Sequence, residues 1–285
     1  MRRRFSARPA EGRRVALVAG IHGDAPEGMA VAHQVAAFLE ANEGRLRGTV
    51  DIYPCVNPLA AHHGARLWPF FDVDLDRLFP GRADGHPPDR VADALTRNVA
   101  GADQVIEIRG PRPGFREVLI AHVRRRDPDA AALALRANVA AVWSRVPGPN
   151  APGTFANQHP GAVVLGGGSR GVLSPGVGQR LADGVLNMLA ALGVLDGAPA
   201  LSDEVPLSVG ADQMRTLRTD QGGLFLPGAP LWAELAADAV IGAVIDPSTG
   251  EVREQIRAPV AGRLASVLAH PVVFPGSAVA RLVVA

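Results

Sequence analysis

The chain of 285 residues contains no lysine, one cysteine and one tyrosine. Without lysine there is no Schiff-base chemistry and no P-loop amine. The lone Cys55 excludes an internal disulfide and any cysteine-rich zinc site. Charge of one sign is also missing: 29 basic against 28 acidic residues leave a formal net charge of +1. With aromatics at 5%, neither a clustered basic excess nor a set of stacking rings is available, so no nucleic-acid partner is expected. No apolar run reaches the roughly 18 residues of a membrane span, so no membrane partner is expected either. The stretch Val15 to Ile21 is too short and too late after the basic start to form a signal-peptide core, and a cytoplasmic location is the expectation. What remains is 47% hydrophobic and 20% charged, with 32 Gly and 24 Pro, as in a soluble globular protein of one large or two modest domains.

Along the chain, Arg14 to Gly20 is an apolar run ending in a glycine turn, and Pro26 to Glu40 repeats apolar residues at three-and-four spacing. Strand, loop and helix is the reading. Thr49–Val56 predicts a second strand stopped by Asn57-Pro58, Asp103–Ile108 a third behind a helix from Asp89 to Val99, and Ala162–Leu165 a fourth before a helix from about Gly176 to Leu192. Apolar strands alternating with helices mean an α/β sheet buried on both faces. Ligand sites in such sheets lie beyond the carboxyl ends of the strands, which directs attention to the loops beginning at His22, Asn57 and Arg109. After about Leu201, turn signals recur every 8 to 12 residues, as in a small all-β unit. Two domains are therefore expected, 1–204 and 205–285, with a hinge near Ala198 to Pro206.

Gly20-Ile-His-Gly-Asp24, Asn57-Pro58, Arg66, Asp74-Leu-Asp-Arg-Leu-Phe-Pro-Gly81 and Asp103-Gln-Val-Ile-Glu-Ile-Arg109 follow one another in order. Together they resemble the succinylglutamate desuccinylase and aspartoacylase family, and Gln221–Pro227 with Ala258–Gly262 resemble that family's C-terminal β domain. The resemblance implies a zinc-carboxypeptidase-like mixed sheet flanked by helices, followed by a small all-β domain. It implies an enzyme that removes the acyl group from an N-acyl amino acid. One zinc would be held by the His and Glu of a His-x-x-Glu loop and by a second His after a later strand, with a Glu near a glycine-rich turn as base.

The chain departs from that pattern where the chemistry lives. The loop reads His22-Gly-Asp-Ala25, the later His falls at Arg109, and the base position falls at Val164. A catalytic zinc needs three protein ligands and an activated water, which His22 alone does not supply. Zinc is thus the family's cofactor but is not expected here, and no catalytic residue is assigned. Rebuilding the site would need Glu27, His62, His63, His86 or His159 to converge on one metal, which would leave an active zinc-dependent amidohydrolase with rearranged ligands as the alternative.

The substrate-gripping half of the pattern survives. Arg66 and Arg77 match positions that in the family hold the substrate carboxylate, and Asn57 lies in the same cleft. Arg109 would supply positive charge at the vacated metal position without Lewis acidity. Asp76 stands where the family usually has Asn, and its charge would turn part of the cleft into an internal ion-pair network. The expected partner is a small carboxylate resembling an N-acyl amino acid. Two rivals remain open. Gly166-Gly-Gly-Ser-Arg-Gly171 is a literal dinucleotide-loop spacing, and the Ala-rich helices expected at Asp129 to Trp143 and Gly176 to Leu192 would serve a scaffold or self-association with another copy. Trp68, Phe70 and Phe71 are expected to wall the pocket, and Arg124 to Arg126 to form a solvated charge run.

Overall fold

The computed structural model describes residues 2–7, 12–146, 153–197, 199, 201–202 and 204–284. The chain divides into two compact units, Met1–Gly110 with Leu119–Ser208, and Pro111–Val118 with Val209–Ala285. Of the expected hinge at 198–206, Ala198, Ala200 and Asp203 lie outside the described residues. Composition carries no sign that Pro111–Val118 joins the second unit, because strand pairing assigns that segment.

In the first unit the elements run β1 (Arg3–Ser6), β2 (Arg14–Ala19), α1 (Pro26–Ala41), β3 (Thr49–Tyr53), α2 (Pro58–His62), α3 (Pro87–Val99) and β4 (Gln104–Arg109). They continue with β5 (Phe115–Arg124), α4 (Pro128–Ala134), β6 (Ala141–Arg145), β7 (Val163–Ser169), α5 (Pro175–Ala191) and β8 (Leu207–Val209). The strand order is β1-β3-β2-β4-β7-β5-β6-β8. The pairs β3/β2, β2/β4 and β4/β7 are parallel, and β1 closes the edge antiparallel to β3. This is the mixed sheet flanked by helices that the family resemblance implies.

Alternation along β2 shows why the strand reads as a continuous apolar run. Val15, Leu17 and Ala19 enter one core with Val31, Val35 and Leu39 of α1 and Leu181, Val185 and Met188 of α5. Ala16 and Val18 enter the opposite core with Leu95 and Val99 of α3, Phe79 and Phe155. A strand covered on both faces has no polar positions to spend. The Ala-rich stretch expected as one helix from Asp129 to Trp143 is instead α4 followed by β6. Asp127 caps α4 through Ala130 N, and the chain turns at Asn138, φ 52°, before entering the sheet. Alanine is compatible with both elements, so composition did not mark the change.

The second unit is all β. Here β14 (Gly262–Leu268) pairs with β16 (Ala278–Val284), β16 with β9 (Met214–Arg218), and β11 (Glu234–Leu235) with β14. The early residues of β5 pair with β14, Glu117 opposite Ser266. A separate sheet has the order β13 (Val252–Arg257), β12 (Val240–Ile245), β10 (Gly223–Pro227) and β15 (Val272–Val273). Phe225, Ile241, Val244, Leu264, Val279 and Leu282 form its core.

Candidate functional site

The site is built in the first unit from the ends of β2, β3 and β4 and the turn Leu75–Arg77. After β2 the backbone bends at Gly20, φ 67°, and His22 leaves the sheet. A Cβ on Gly23 would lie 2.0 Å from the carbonyl carbon of Ala60, so only glycine lets this loop rest against α2. The start of α2 is fixed by Asn57, whose Oδ1 accepts from Ala60 N at 3.0 Å while its own N–H donates to Gly20 O. Asn57, expected to touch substrate, is thus a buried helix cap. Its Nδ2 is buried without a hydrogen-bond partner.

Asp74 is the hub. Its Oδ1 accepts from His22 Nε2 at 2.8 Å and from the backbone N of Asp76 at 3.1 Å, and its Oδ2 accepts from Arg66 at 2.8 Å. Arg77 Nε lies 3.7 Å from the same Oδ2, with a largely exposed side chain. Burial alone would push the Asp74 carboxyl up. The hydrogen bond and charge of His22, joined by those of Arg66, outweigh it and hold the group well below the usual carboxylate range.

Arg109 ends β4 and turns back on Glu107, two residues earlier and on the same face of the strand. Its Nε and Nη2 donate to the two carboxylate oxygens at 2.9 and 2.7 Å. Nη1 lies 3.6 Å from Asp76 Oδ2, while Asp76 Oδ1 accepts from Phe155 N at 3.0 Å. Burial opposes the charge on Arg109, but Glu107 and Asp76 overcome it and raise the guanidinium pKa. Burial pushes the Glu107 carboxyl up, and Arg109 opposes that shift. Glu107 pairs in register with Val164, and Arg109 with Gly166.

Ala25 is buried at the entry to α1. A Cβ on Gly110 would lie 3.0 Å from the Ala25 methyl and 3.5 Å from Arg170 Cζ, so the Arg170 guanidinium reaches the neighbourhood of the missing acid. Arg170 forms an ion pair with Asp24. Burial lowers the Arg170 pKa against the opposing Asp24 charge, and Arg66 and Arg109 add to the lowering, so the three guanidiniums are within electrostatic reach of one another.

Sequence reasoning did not assign Glu107, Asp24 or Arg170 to the cleft. Glu107 carried a signal, an acidic residue inside an apolar strand at i−2 from a cation. The Asp24–Arg170 pair spans 146 positions and carried none. Other candidates lie elsewhere. Glu27 Oε2 accepts from Ser174 N at 2.9 Å and ties α1 to the start of α5. His62, His63 and His86 are exposed, and His159 packs on Phe155 at 4.8 Å between ring centroids. The dinucleotide-like glycines Gly166 to Gly168 are strand residues of β7, not a phosphate-cradling loop. Trp68 is buried, whereas Phe70 at the tip of its loop is 90% exposed and walls nothing. Arg124 to Arg126 are exposed as expected, on the end of β5 and the turn after it. Among the described residues, no three His, Cys, Asp or Glu side chains group so as to hold a metal ion.

Comparison with known proteins gives the class. Residues 11–192 match the succinylglutamate desuccinylase/aspartoacylase catalytic domain. The chain belongs to this family of N-acyl amino acid deacylases, whose members are generally zinc-dependent.

Among individual relatives, an N-alpha-acetyl-L-2,4-diaminobutyric acid deacetylase from Halomonas elongata is 33% identical over 96 residues. That match covers 34% of this chain and 28% of the relative, under a third of its length. The product-bound ectoine utilization protein EutE (DoeB) from Ruegeria pomeroyi superposes with a TM-score of 0.82 at 25% identity, covering 96% of this chain and 86% of that one. An aspartoacylase family protein from Mesorhizobium loti does so with a TM-score of 0.80 at 21% identity, covering 99% and 87%. The carboxypeptidase-like fold with its C-terminal β unit is shared with these structures.

The donor set does not fit the family metal. At the positions that the resemblance gives to the metal ligands, the His22 imidazole is hydrogen-bonded to Asp74, Ala25 offers only a methyl group, and the Arg109 guanidinium is held by Glu107. A permanent cation cannot ligate zinc and repels it.

Proposed function

We propose that this family member binds a small carboxylate of the N-acyl amino acid type without zinc-hydroxide hydrolysis. The observation that carries the reading is an imbalance. Arg66 and Arg77 share the single carboxylate Asp74, and Asp74 also serves His22, so guanidinium donors are left over on the solvent side of the cleft. Arg77 is the loosest of these pairs and the most exposed, free to swing onto an incoming carboxylate and grip it as a fork. The charge of Arg109 is balanced by the carboxylates of Glu107 and Asp76, so it is not a direct ligand contact. Asp76 lies 3.6 Å from Arg109, which leaves Arg66 and Arg77 as the recognition pair.

N-succinylglutamate, after which the family's desuccinylases are named, is a suitable probe. Calorimetric titration should show saturable binding that Arg77→Ala weakens by roughly tenfold or more and His22→Ala weakens less. The reverse ranking, or turnover of the probe with zinc-dependent kinetics, would overturn the proposal in favour of a hydrolase with rearranged ligands.

A further inference from the structure

A second cavity in the first unit is lined by none of His22, Arg66, Asp74, Arg77 or Arg109. It holds about 420 Å³ and opens between the residues after β3, the start of α2 and one face of α3. Its walls are apolar: Val56, Leu59 and Trp68 on one side, Val91, Ala94 and Leu95 on the other. Few polar groups enter it, among them the Arg2 guanidinium, the Tyr53 ring with its hydroxyl, and the Cys55 thiol. That volume and lining fall within the range of small-molecule sites, and a position beyond the carboxyl end of a strand is where open α/β sheets place them.

The charge at its rim selects the ligand. Asp51 on β3 is fully buried and answers to three guanidiniums. Arg4 binds it with two bonds of 2.7 Å, and Arg14 donates to it at 2.8 Å. Arg2, the one that lines the cavity, stands off at 3.8 Å with its side chain 41% exposed. One carboxylate against three cations leaves a surplus of positive charge, and the least committed cation is the one at the apolar opening. Burial pushes both the Tyr53 phenol and the Cys55 thiol up, so neither contributes a negative charge.

We infer that this cavity is a second ligand site, specific for a small amphipathic monoanion, an aliphatic or aromatic carboxylate whose body fills the apolar walls and whose head meets Arg2. The inference does not depend on the function proposed for the Asp74 cleft. An alcohol of the same length fills the same walls but adds no charge to the partners Arg2 already has, Asp51 and Tyr53. An amine adds repulsion.

Cys55, the only cysteine, is half-buried in the wall and reports occupancy directly. Alkylation of the full-length protein by N-ethylmaleimide, followed by intact mass, should slow by roughly tenfold or more as octanoate is raised to saturation. Octan-1-ol should require about tenfold higher concentration for the same protection, in line with the loss of one charged hydrogen bond. Arg2→Gln, an exposed substitution, should erase the difference between the two ligands, and Ala94→Phe should abolish protection by filling the cavity. Calorimetric titration with octanoate gives an independent readout for each variant. No protection and no heat at millimolar octanoate would overturn the inference, as would equal protection by octan-1-ol or an unchanged preference in Arg2→Gln.

Discussion

Glu107 and Arg109, two residues apart on one strand, close a bidentate ion pair of 2.9 and 2.7 Å. A pleated strand places i and i+2 on the same face, so the pairing is a consequence of local geometry once both side chains are turned inward. Glu107 is buried; the Arg109 guanidinium meets both its oxygens, whereas burial and the nearby Asp76 charge work against its ionised form.

Breaking this pair from one side should be expensive. Arg109→Met leaves Glu107 buried and unpaired and should cost about 3 kcal/mol or more at pH 8, read from urea unfolding. Burial already raises the Glu107 carboxyl, and removing Arg109 raises it further. A group whose folded pKa lies above its unfolded value destabilises progressively as pH rises through the interval, so the loss should be smaller at pH 5 than at pH 8. The double variant Arg109→Met/Glu107→Gln should recover much of the stability.

Asp74 should dominate the acid limb of stability in the cleft. Its folded carboxyl lies below the usual range, so its contribution is fully present above the unfolded value of about 4 and is lost as pH falls below that. Asp74→Asn should be destabilised at pH 7 and should show a flatter stability profile than wild type between about pH 4 and pH 2, measured by chemical denaturation across that range.

The loop that carries His22 should reject any side chain at its tightest point. A Cβ at Gly23 would sit 2.0 Å from backbone of α2, which cannot move without releasing the Asn57 cap. Gly23→Ala should cost more than about 2 kcal/mol in thermal or chemical unfolding, whereas Gly44→Ala, where nothing stands within 4 Å, should change stability by less than about 1 kcal/mol.

Arg77 offers the opposite separation. Its side chain is 68% exposed and its ion pair is long, so Arg77→Ala should leave unfolding within about 0.5 kcal/mol of wild type. Binding of N-succinylglutamate should nonetheless fall by roughly tenfold or more. Coincident loss of stability and binding would mark Arg77 as structural.

Much of this arrangement was legible before the structure. The strand at Asp103–Ile108 and the helix at Gly176–Leu192 appear within a residue or two as Gln104–Arg109 and Pro175–Ala191, because apolar periodicity and flanking glycine or proline mark both. His22, Arg66 and Arg77, singled out in sequence order, gather on Asp74, and Arg109 lies by Asp76. The alanine run after Asp129 hid a helix-to-strand change, since alanine carries no preference strong enough to show it. Arg170 was read within a glycine motif when its partner Asp24 lies 146 residues away, a contact that only the parallel sheet brings about. The capping role of Asn57 was not legible, because a cap and a loop contact have the same letter.

Metal content tests the central claim most directly. Protein purified without chelator and without a histidine tag, supplied with zinc and then desalted, should retain far less than one zinc per chain by plasma mass spectrometry, with or without His22→Ala. About one zinc per chain in the wild type, lost in His22→Ala, would contradict the account and return the chain to the zinc-dependent chemistry of its family.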